Sequence, residues 1–461
     1  MFLSMNVFNK LFSCFNNKKV TVLLGAGAPM DLYVEGNSPS TKNITLSMLQ
    51  TKPKKFVDGA EVDVNLIENI YNQLCASYRP IALDYNNSDS AGKVHFEILL
   101  HIIEELTTYY WSIQQGTSQR YVAPFSNFIQ GVNVNFEIYD LYASSRHIIQ
   151  KIRETVNRYD AHFPRTENDW YRHFWKENEN GWDVFNLNYD TTIEQSLGVY
   201  EDGYEPIADQ EEFQRFNINK LILNKRNLST VNHIHGCILY GPDRYHDPNH
   251  DVYEYESNDI YKWPNYQTAS DRWGGQTRGG NRAQNGLEIV QGPIITGLSK
   301  TDKITCLPYD IYRYNFNRRI MKNRGLLIVG YSFGDKYINN MFYRMSQIHG
   351  DDKRVVLIDF WNMQTIYEEL HRGPKDHPNV SDDDLTARLF EQHFAQEYGN
   401  VEALMFVKRV AHHDLDIWNH FDCLSLTALM VSDNGQLMLF IGGFKTAVTQ
   451  YGNRIQEFLG L

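Results

Sequence analysis

The sequence predicts an α/β protein built on a parallel sheet of the Rossmann type. Continuous apolar runs, such as residues 19–24 and 325–329, are typical of strands buried on both faces of a parallel sheet. Helical patterns separate several of these runs, and strands that alternate with helices pair in parallel. The first run leads directly into Gly25-Ala26-Gly27, which predicts a tight turn at the carboxyl end of the first strand.

Six segments of the chain have the apolar pattern of buried strands. A helix is predicted after Asp335, because the apolar side chains from Ile338 to Met345 recur at helical spacing. The predicted strands are Lys19–Leu24, Trp182–Leu187, Val231–Ile234, Gly292–Thr296, Gly325–Val329 and Arg354–Ile358.

One main domain, residues 19–395, is expected to contain these strands and a mainly helical insertion at about 61–165. Residues 1–18 form an arm before it, and residues 396–461 form a small C-terminal extension that serves packing or assembly. The polar segment at about 243–286 is too long for a plain connection, so it is either a lid or a surface for a partner.

The C-terminal extension carries a clear hairpin signal. Asp433-Asn434-Gly435 lies between two apolar runs, a pattern that predicts two antiparallel strands and a tight turn. A helix is expected after it, over Thr446–Leu459. Neither element contains residues of obvious chemical function.

Charge and cysteine content exclude several classes of protein. The net charge is -12 without a stripe of Lys and Arg, which argues against the chain holding nucleic acid by itself. The five cysteines are odd in number and form no C-x-x-C pair, which disfavours a disulfide framework and a cysteine zinc site. Reduced thiols, the lack of a secretory signal and the lack of a long apolar run predict a cytoplasmic protein without a membrane span.

Polar motifs follow the second and third predicted strands, at the edge where parallel sheets bind ligands. Asn188 and Asp190 offer an amide and a carboxylate that can orient sugar hydroxyls and a water. The alternative is that Asp190 or Thr191 caps the next helix, and both roles can hold at once, with Asp190 as the cap and Asn188 facing the cleft. His235 precedes Gly236, which lets the chain turn and present the imidazole for proton transfer near neutral pH. His233 has the opposite strand parity and is expected to point elsewhere.

Glycine-containing turns follow the first and fifth predicted strands. Gly25-Ala26-Gly27 lacks the third glycine of the dinucleotide fingerprint, so a tight turn without a ligand stays open beside phosphate binding. The segment Gly330–Asp335 suits a phosphate or ribose contact. Its G-x-S-x-G spacing also fits a hydrolase elbow, but the hydrolase order requires a histidine after Ser332, and the best histidine motif lies upstream.

Taken in order, five motifs resemble the sirtuin-like NAD-binding family, and its prokaryotic antiphage-defence branch more than the protein deacetylases. The similarity covers roughly residues 19–365. It implies a Rossmann-like sheet of about six parallel strands. The matching segments are Val22–Gly27, Phe96–Leu99, Asn186–Asp190, Ile234–Gly236 and Gly330–Asp335.

The resemblance implies a role for each matching residue. Asn188 matches the asparagine that holds the nicotinamide ribose and the attacking water, and Asp190 supports that site. His235 matches the general base that engages a ribose hydroxyl. The residues expected to contact the nucleotide are Gly25, Ala26, Gly27, Asp31, Gly330, Ser332 and Asp335.

The chain departs from the deacetylases in two respects. It lacks their four-cysteine zinc module, so no metal is expected. The loop after the glycines reads Ala28-Pro-Met-Asp31-Leu in place of the deacetylase G-I-P-D-F-R. Both departures weaken a deacylase assignment and favour hydrolysis of NAD, as a substrate, to ADP-ribose and nicotinamide.

The resemblance also implies a biological setting. Relatives in the defence branch deplete NAD during phage infection, which aborts the infection, so activity is expected to be gated by homo-oligomerisation or by a partner. A HerA-type hexameric ATPase is the partner that analogy suggests. A non-catalytic sensor of NAD or ADP-ribose, which controls a partner, stays as the main alternative.

Overall fold

The computed structural model describes most of the chain. The arm at 1–18 and most of the polar segment at 243–286 lie outside the described residues. The described residues are 19–33, 41–77, 94–114, 136–163, 166–207, 210–241, 260–270, 292–296, 300–304, 306–360, 402–411, 429–432 and 434–461.

The elements alternate between strands and helices along much of the chain. The strands are β1 (Val20–Leu24), β2 (Lys54–Val57), β3 (Ala60–Asp63), β4 (Trp182–Asn186), β5 (Tyr204–Ile207), β6 (Gln210–Phe216), β7 (Thr230–His233), β8 (Tyr240–Gly241), β9 (Tyr261–Lys262), β10 (Gly325–Val329), β11 (Arg354–Ile358), β12 (Met430–Val431) and β13 (Leu437–Phe440). The α-helices are α1 (Thr41–Leu49), α2 (Leu66–Ser77), α3 (Phe96–Gln114), α4 (Ile138–Asp160), α5 (Asp169–Glu177), α6 (Thr192–Leu197), α7 (Ile218–Leu223), α8 (Tyr266–Ser270), α9 (Lys300–Lys303), α10 (Tyr309–Lys322), α11 (Lys336–His349), α12 (Glu402–Ala411) and α13 (Phe444–Leu459).

The central sheet has seven strands in the order β12-β13-β11-β10-β1-β4-β7. Six of them pair in parallel, and β12 is an antiparallel strand at one edge. The predicted α/β class and parallel sheet are therefore confirmed, with one strand more than the predicted number. Along the chain, the strands step outward from β1 to β7 and then return to β10 on the other side of β1. This reversal makes the gap between β1 and β10 the switch point at which such sheets bind ligands.

Five of the six predicted strands are confirmed, and one is wrong. Gly292–Thr296 forms only an isolated bridge, between Ile294 and Gly236, rather than a strand of the sheet. The predicted hairpin at Asn434 is confirmed by β12 and β13, and β13 also pairs with β11 inside the central sheet. Two small antiparallel sheets, β2-β3 and β5-β6-β9-β8, lie outside it.

Apolar side chains cover both faces of the sheet. Along β10, Leu326 and Ile328 belong to one buried cluster, and Leu327 and Val329 belong to the other. This alternation is what a strand with two covered faces requires, and it explains why the strand is continuously apolar in sequence. Helices α3, α4, α10 and α11 pack on the first face, and α5 and α13 pack on the second.

The loops after β1 and β10 touch each other through their backbones. Gly27 donates its amide N–H to the Gly330 carbonyl at 2.9 Å. A Cβ atom added to Gly25 would lie 2.3 Å from that carbonyl oxygen, and one added to Gly330 would lie 2.3 Å from the carbonyl carbon of Gly27. Gly330 also has φ +57, a conformation that residues with a side chain rarely adopt. The three glycines are therefore required by the contact between the two loops.

No helix in the described parts of the chain has both the length and the apolar character needed to cross a membrane.

We expect Gly330→Ala to destabilise the protein by about 3 kcal/mol or more, because the new methyl group adds a steric clash to the cost of the left-handed backbone. Gly350→Ala is the matched control: Gly350 has φ +50, and a Cβ atom there meets nothing within 4 Å. The control should lose only about 1–2 kcal/mol. Urea unfolding measures both, and equal losses in the two variants would contradict the loop contact.

Candidate functional site

Asn188 lies at the carboxyl end of the sheet, directly beside the turn after β1. Its Nδ2 donates a hydrogen bond to the Gly25 carbonyl at 2.9 Å, and its own amide N–H is held by Asn186 Oδ1 at 2.9 Å. Because a carbonyl only accepts, the side-chain amide must point its NH₂ group at Gly25. The Asn188 Oδ1 atom then has no hydrogen-bond donor within the described ranges and can accept one from a water or a hydroxyl.

The turn Gly25-Ala26-Gly27 leaves one donor open at the switch point. Ala26 and Gly27 are exposed, whereas Gly25 is buried under the loop after β10. The Gly27 amide is consumed by Gly330, and the Ala26 amide has no partner among the residues described. A single free N–H and two exposed small residues suit the close approach of a phosphate. They form a narrower cradle than a complete glycine fingerprint would.

His235 follows β7 and is held by its backbone. Its carbonyl accepts from Ile295 N–H at 2.7 Å. Gly236, at φ +91, makes this possible, because a Cβ atom there would lie 2.2 Å from the Pro293 carbonyl oxygen. The segment Gly292–Thr296 thus packs against the turn that carries the imidazole.

The His235 ring is buried at 5% exposure, and its Nε2 forms no hydrogen bond within the described ranges. Asp335 Oδ2 is the nearest acid, at 3.6 Å, which is an ion-pair distance beyond the hydrogen-bond range. Burial lowers the pKa of His235, and the positive charge of Lys300 lowers it further. The imidazole is therefore neutral at physiological pH and can accept a proton.

Asp335 joins the loop after β10 to His235. Its carboxylate caps helix α11 by accepting from the N–H groups of Tyr337 at 2.9 Å and Ile338 at 3.3 Å. Burial acts to raise the pKa of Asp335, but the proximity of His235 and, after it, the two backbone bonds outweigh burial and keep that pKa below its usual value. A fixed carboxylate near the imidazole stabilises the positive charge that the ring gains when it takes up a proton.

Asp190 contacts a different set of residues from those around Asn188. Its Oδ1 accepts from Thr192 N–H and Oγ1, at 3.1 and 2.5 Å, so it organises the start of helix α6. Asp190 thus forms an Asx turn one residue before the N-cap, Thr191, whose own side chain makes no capping bond. The Asp160 carboxylate accepts hydrogen bonds from the N–H and the hydroxyl of Thr191, the residue between Asp190 and Thr192. Burial and the neighbouring Asp190 raise the pKa of Asp160 to about 7.

The remaining predicted nucleotide contacts lie around the two loops. Asp31 accepts from Lys445 N–H at 2.8 Å, at the beginning of helix α13. Ser332 is exposed in the loop between β10 and α11. The described contacts therefore bring Asn188 to Gly25, Gly27 to Gly330 and His235 to Asp335, while Asp31 and Asp190 are engaged elsewhere.

His233 points into the protein, away from His235, as its strand parity predicts. Its Nε2 lies 2.6 Å from Glu194 Oε1, and its Nδ1 lies 3.3 Å from the Asn188 carbonyl. Cys237 is close by, and within the described residues this trio is the group whose ligand atoms converge enough to hold a metal ion. The short contact between His233 and Glu194 is an ordinary charged hydrogen bond, and the Glu194 carboxylate raises the pKa of His233. This bond satisfies Glu194 Oε1, whereas Glu194 Oε2 is buried without a hydrogen-bond partner among the described residues.

Sequence reasoning missed three polar residues on the His235 side of the site. Glu97, at the beginning of α3, accepts from Lys300 Nζ at 3.2 Å and from Thr296 Oγ1 at 3.3 Å. The Glu97 motif was recognised in the sequence without a role for its carboxylate. Lys300 and Thr296 belong to no motif, and no local pattern could have placed them beside a residue about 200 positions earlier.

No known family model matches the chain, and no curated protein matches it in sequence. The resemblance to the sirtuin-like family therefore stays a prediction.

Asp160 makes the stability of the protein depend on pH. Its pKa is raised on folding, so the folded state holds the proton more tightly than the unfolded state. Stability should therefore fall as the pH rises from 5 to 8, by about 2–3 kcal/mol from this group. Asp160→Asn should remove that dependence, because a neutral amide can still accept from Thr191 N–H.

The measurement is urea unfolding at pH 5, 6, 7 and 8. Asp169→Asn, which changes an exposed carboxylate on α5, is the control. If the wild type and Asp160→Asn show the same slope against pH, Asp160 is not a buried proton-binding group.

Proposed function

We propose that the chain is an NAD glycohydrolase with a Rossmann-like, sirtuin-like domain, which cleaves the bond between nicotinamide and ribose. The observation that carries this proposal is the meeting of Asn188 and His235 with the two glycine loops at the carboxyl edge of the sheet. Both side chains flank the switch point between β1 and β10. That is where parallel sheets take up nucleotides.

The two loops suit the nucleotide half of the substrate. The Ala26 N–H and the exposed surface of Gly27 can contact the pyrophosphate, and Ser332 lies on the other side of the switch point. Asp335 contributes less directly, because its carboxylate already caps α11. Asp31 would support the loop through its bond to α13 rather than contact the nucleotide itself.

Asn188 and His235 suit the reacting half. Departure of nicotinamide leaves positive charge on the ribose, and a water then attacks the anomeric carbon. Asn188 is held by Gly25 so that its Oδ1 faces outward, which allows it to position that water. The neutral His235 can take a proton from a ribose hydroxyl, and the Asp335 carboxylate stabilises the imidazolium that forms. Asp190 acts at a distance, by fixing the turn that follows Asn188.

A hydrolase of this kind would exhaust the NAD of its own cell unless it were controlled. The proposal therefore includes gating by homo-oligomerisation or by a HerA-type hexameric ATPase, and a role in antiviral defence through abortive infection. This part rests on the family resemblance. The biochemical proposal draws on the resemblance and also on the geometry around Asn188 and His235.

The alternative is a non-catalytic sensor that binds NAD or ADP-ribose and controls a partner. Asn188 and the glycine loops would serve a sensor equally well. The specific argument for an enzyme is His235: a buried imidazole whose Nε2 has no hydrogen-bond partner among the described residues, beside a carboxylate, gives a sensor no advantage. A protein deacylase is less well supported, because the chain lacks cysteine pairs for a zinc module.

We expect Asn188→Ala and His235→Ala each to lower NAD cleavage at least about 100-fold, because each removes a group that acts on the reacting atoms. The assay follows nicotinamide release by the full chain, alone and with the ATPase. Asn340→Ala and His173→Ala, which change exposed residues on α11 and α5, are the matched controls. Full activity in either site variant would refute the assignment, and tight NAD binding without turnover by the wild type would support the sensor.

A further inference from the structure

Two ion pairs connect the short helix α9 to helix α3, and they differ in what lies beside them. Lys300 pairs with Glu97, and Lys303 pairs with Glu104 two helical turns further along α3. Lys300 and Glu97 are the more exposed pair, with 26% and 31% of their side-chain surfaces accessible. The first pair is therefore more accessible to solvent than the second, whose side chains are 14% and 20% accessible.

The Lys300–Glu97 pair is connected to His235 through the segment Gly292–Thr296. Thr296 Oγ1 donates to the same Glu97 oxygen that accepts from Lys300. The preceding residue, Ile295, donates its N–H to the His235 carbonyl. Glu97 is therefore connected to the turn that carries the imidazole by Thr296 and its neighbour Ile295, and Lys300 is connected to that turn through Glu97.

The pair also lies within electrostatic range of the imidazole. Lys300 is the charged residue that lowers the pKa of His235 most, after burial itself. Asp335 and Glu97 act in the opposite direction and raise it. His95, beside Glu97, has its own pKa lowered by burial and adds no charge near neutral pH. The charges that face His235 thus come from α9, α3 and the cap of α11.

We propose that the Lys300–Glu97 ion pair is a positioning device for His235, which acts through Thr296, bound to Glu97, and through the neighbouring bond from Ile295 N–H to the His235 carbonyl. Lys300 acts without contacting the reacting atoms. Glu97 also stays ionised, because the neighbouring ammonium overcomes the effect of burial and lowers the pKa of the carboxyl group. This proposal deepens the proposed function and rests on it for its catalytic meaning.

The two members of the pair should shift the pH dependence in opposite directions. Catalysis requires neutral His235, so activity is lost as the pH falls through the pKa of that ring. Lys300→Met removes a positive charge, which raises the pKa of His235 and moves the acid limb to higher pH. Glu97→Gln removes a negative charge, which lowers the pKa of His235 and moves the limb to lower pH. If the ion pair had only a structural role, both substitutions would lower activity, and neither would move the acid limb of the pH profile.

The experiment measures kcat/KM for NAD between pH 5 and 9 with the full chain. For Lys300→Met we expect a limb shift of about 0.5–1 pH unit, so that activity falls about threefold to tenfold on the acid side of the His235 pKa and changes little at pH 8.5. Lys300→Arg should restore the wild-type profile, since it keeps the charge. Glu104→Gln is the matched control, because it breaks the neighbouring bridge between the same helices without a charge beside His235.

A titration of the His235 ring by NMR in histidine-labelled protein, assigned with His235→Ala, tests the same shifts without any turnover. Opposite shifts of the His235 pKa in Lys300→Met and Glu97→Gln would support the positioning device even if the wild type does not cleave NAD, in which case only the hydrolase fails. Normal NAD cleavage with an unmoved acid limb and an unmoved ring titration in both variants would overturn the inference alone.

Discussion

The contact between the backbones of the loops after β1 and β10 is the constraint on which the candidate site depends. Three glycines allow the backbones of the two loops to approach closely at the switch point. The Gly25 carbonyl, fixed by this contact, holds the side chain of Asn188. Gly330 begins the loop that ends at Asp335, which faces His235. The backbone contact thus fixes the position of the Asn188 half of the site relative to the His235 half.

The parallel sheet separates polar residues that are close in sequence into two environments. Asn188 and His235 face the edge where the strands end, whereas Asp190 and His233 turn inward toward Asp160 and Glu194. The inner group is buried, and its hydrogen bonds from Thr192 to Asp190 and between His233 and Glu194 stabilise the turns after β4 and β7. The outer group keeps atoms without protein partners. A pair of residues two apart in the chain can therefore divide structural and chemical roles between them.

Much of the fold could be predicted because a strand that is buried on both faces has a recognisable apolar sequence. The strands β1, β10 and β11 are continuously apolar, and each ends in polar or glycine residues. The place of β13 in the sheet could not be predicted, since its partner β11 lies some eighty residues earlier and parallel pairing leaves no trace in either sequence. For the same reason, motifs at strand ends located Asn188 and His235, whereas the Lys300–Glu97 pair depends on a tertiary contact alone.

The bond between Asp31 and Lys445 has a consequence for the order of events during synthesis. These residues are 414 positions apart, and the bond connects the first loop of the sheet to the first turn of α13. While the chain emerges from the ribosome, the glycine loop is made early, but the helix that engages its carboxylate arrives only after β13 has been translated. A nascent chain thus carries an unfinished loop until α13 has been made, and the turn after β1 gains this contact only when that helix docks.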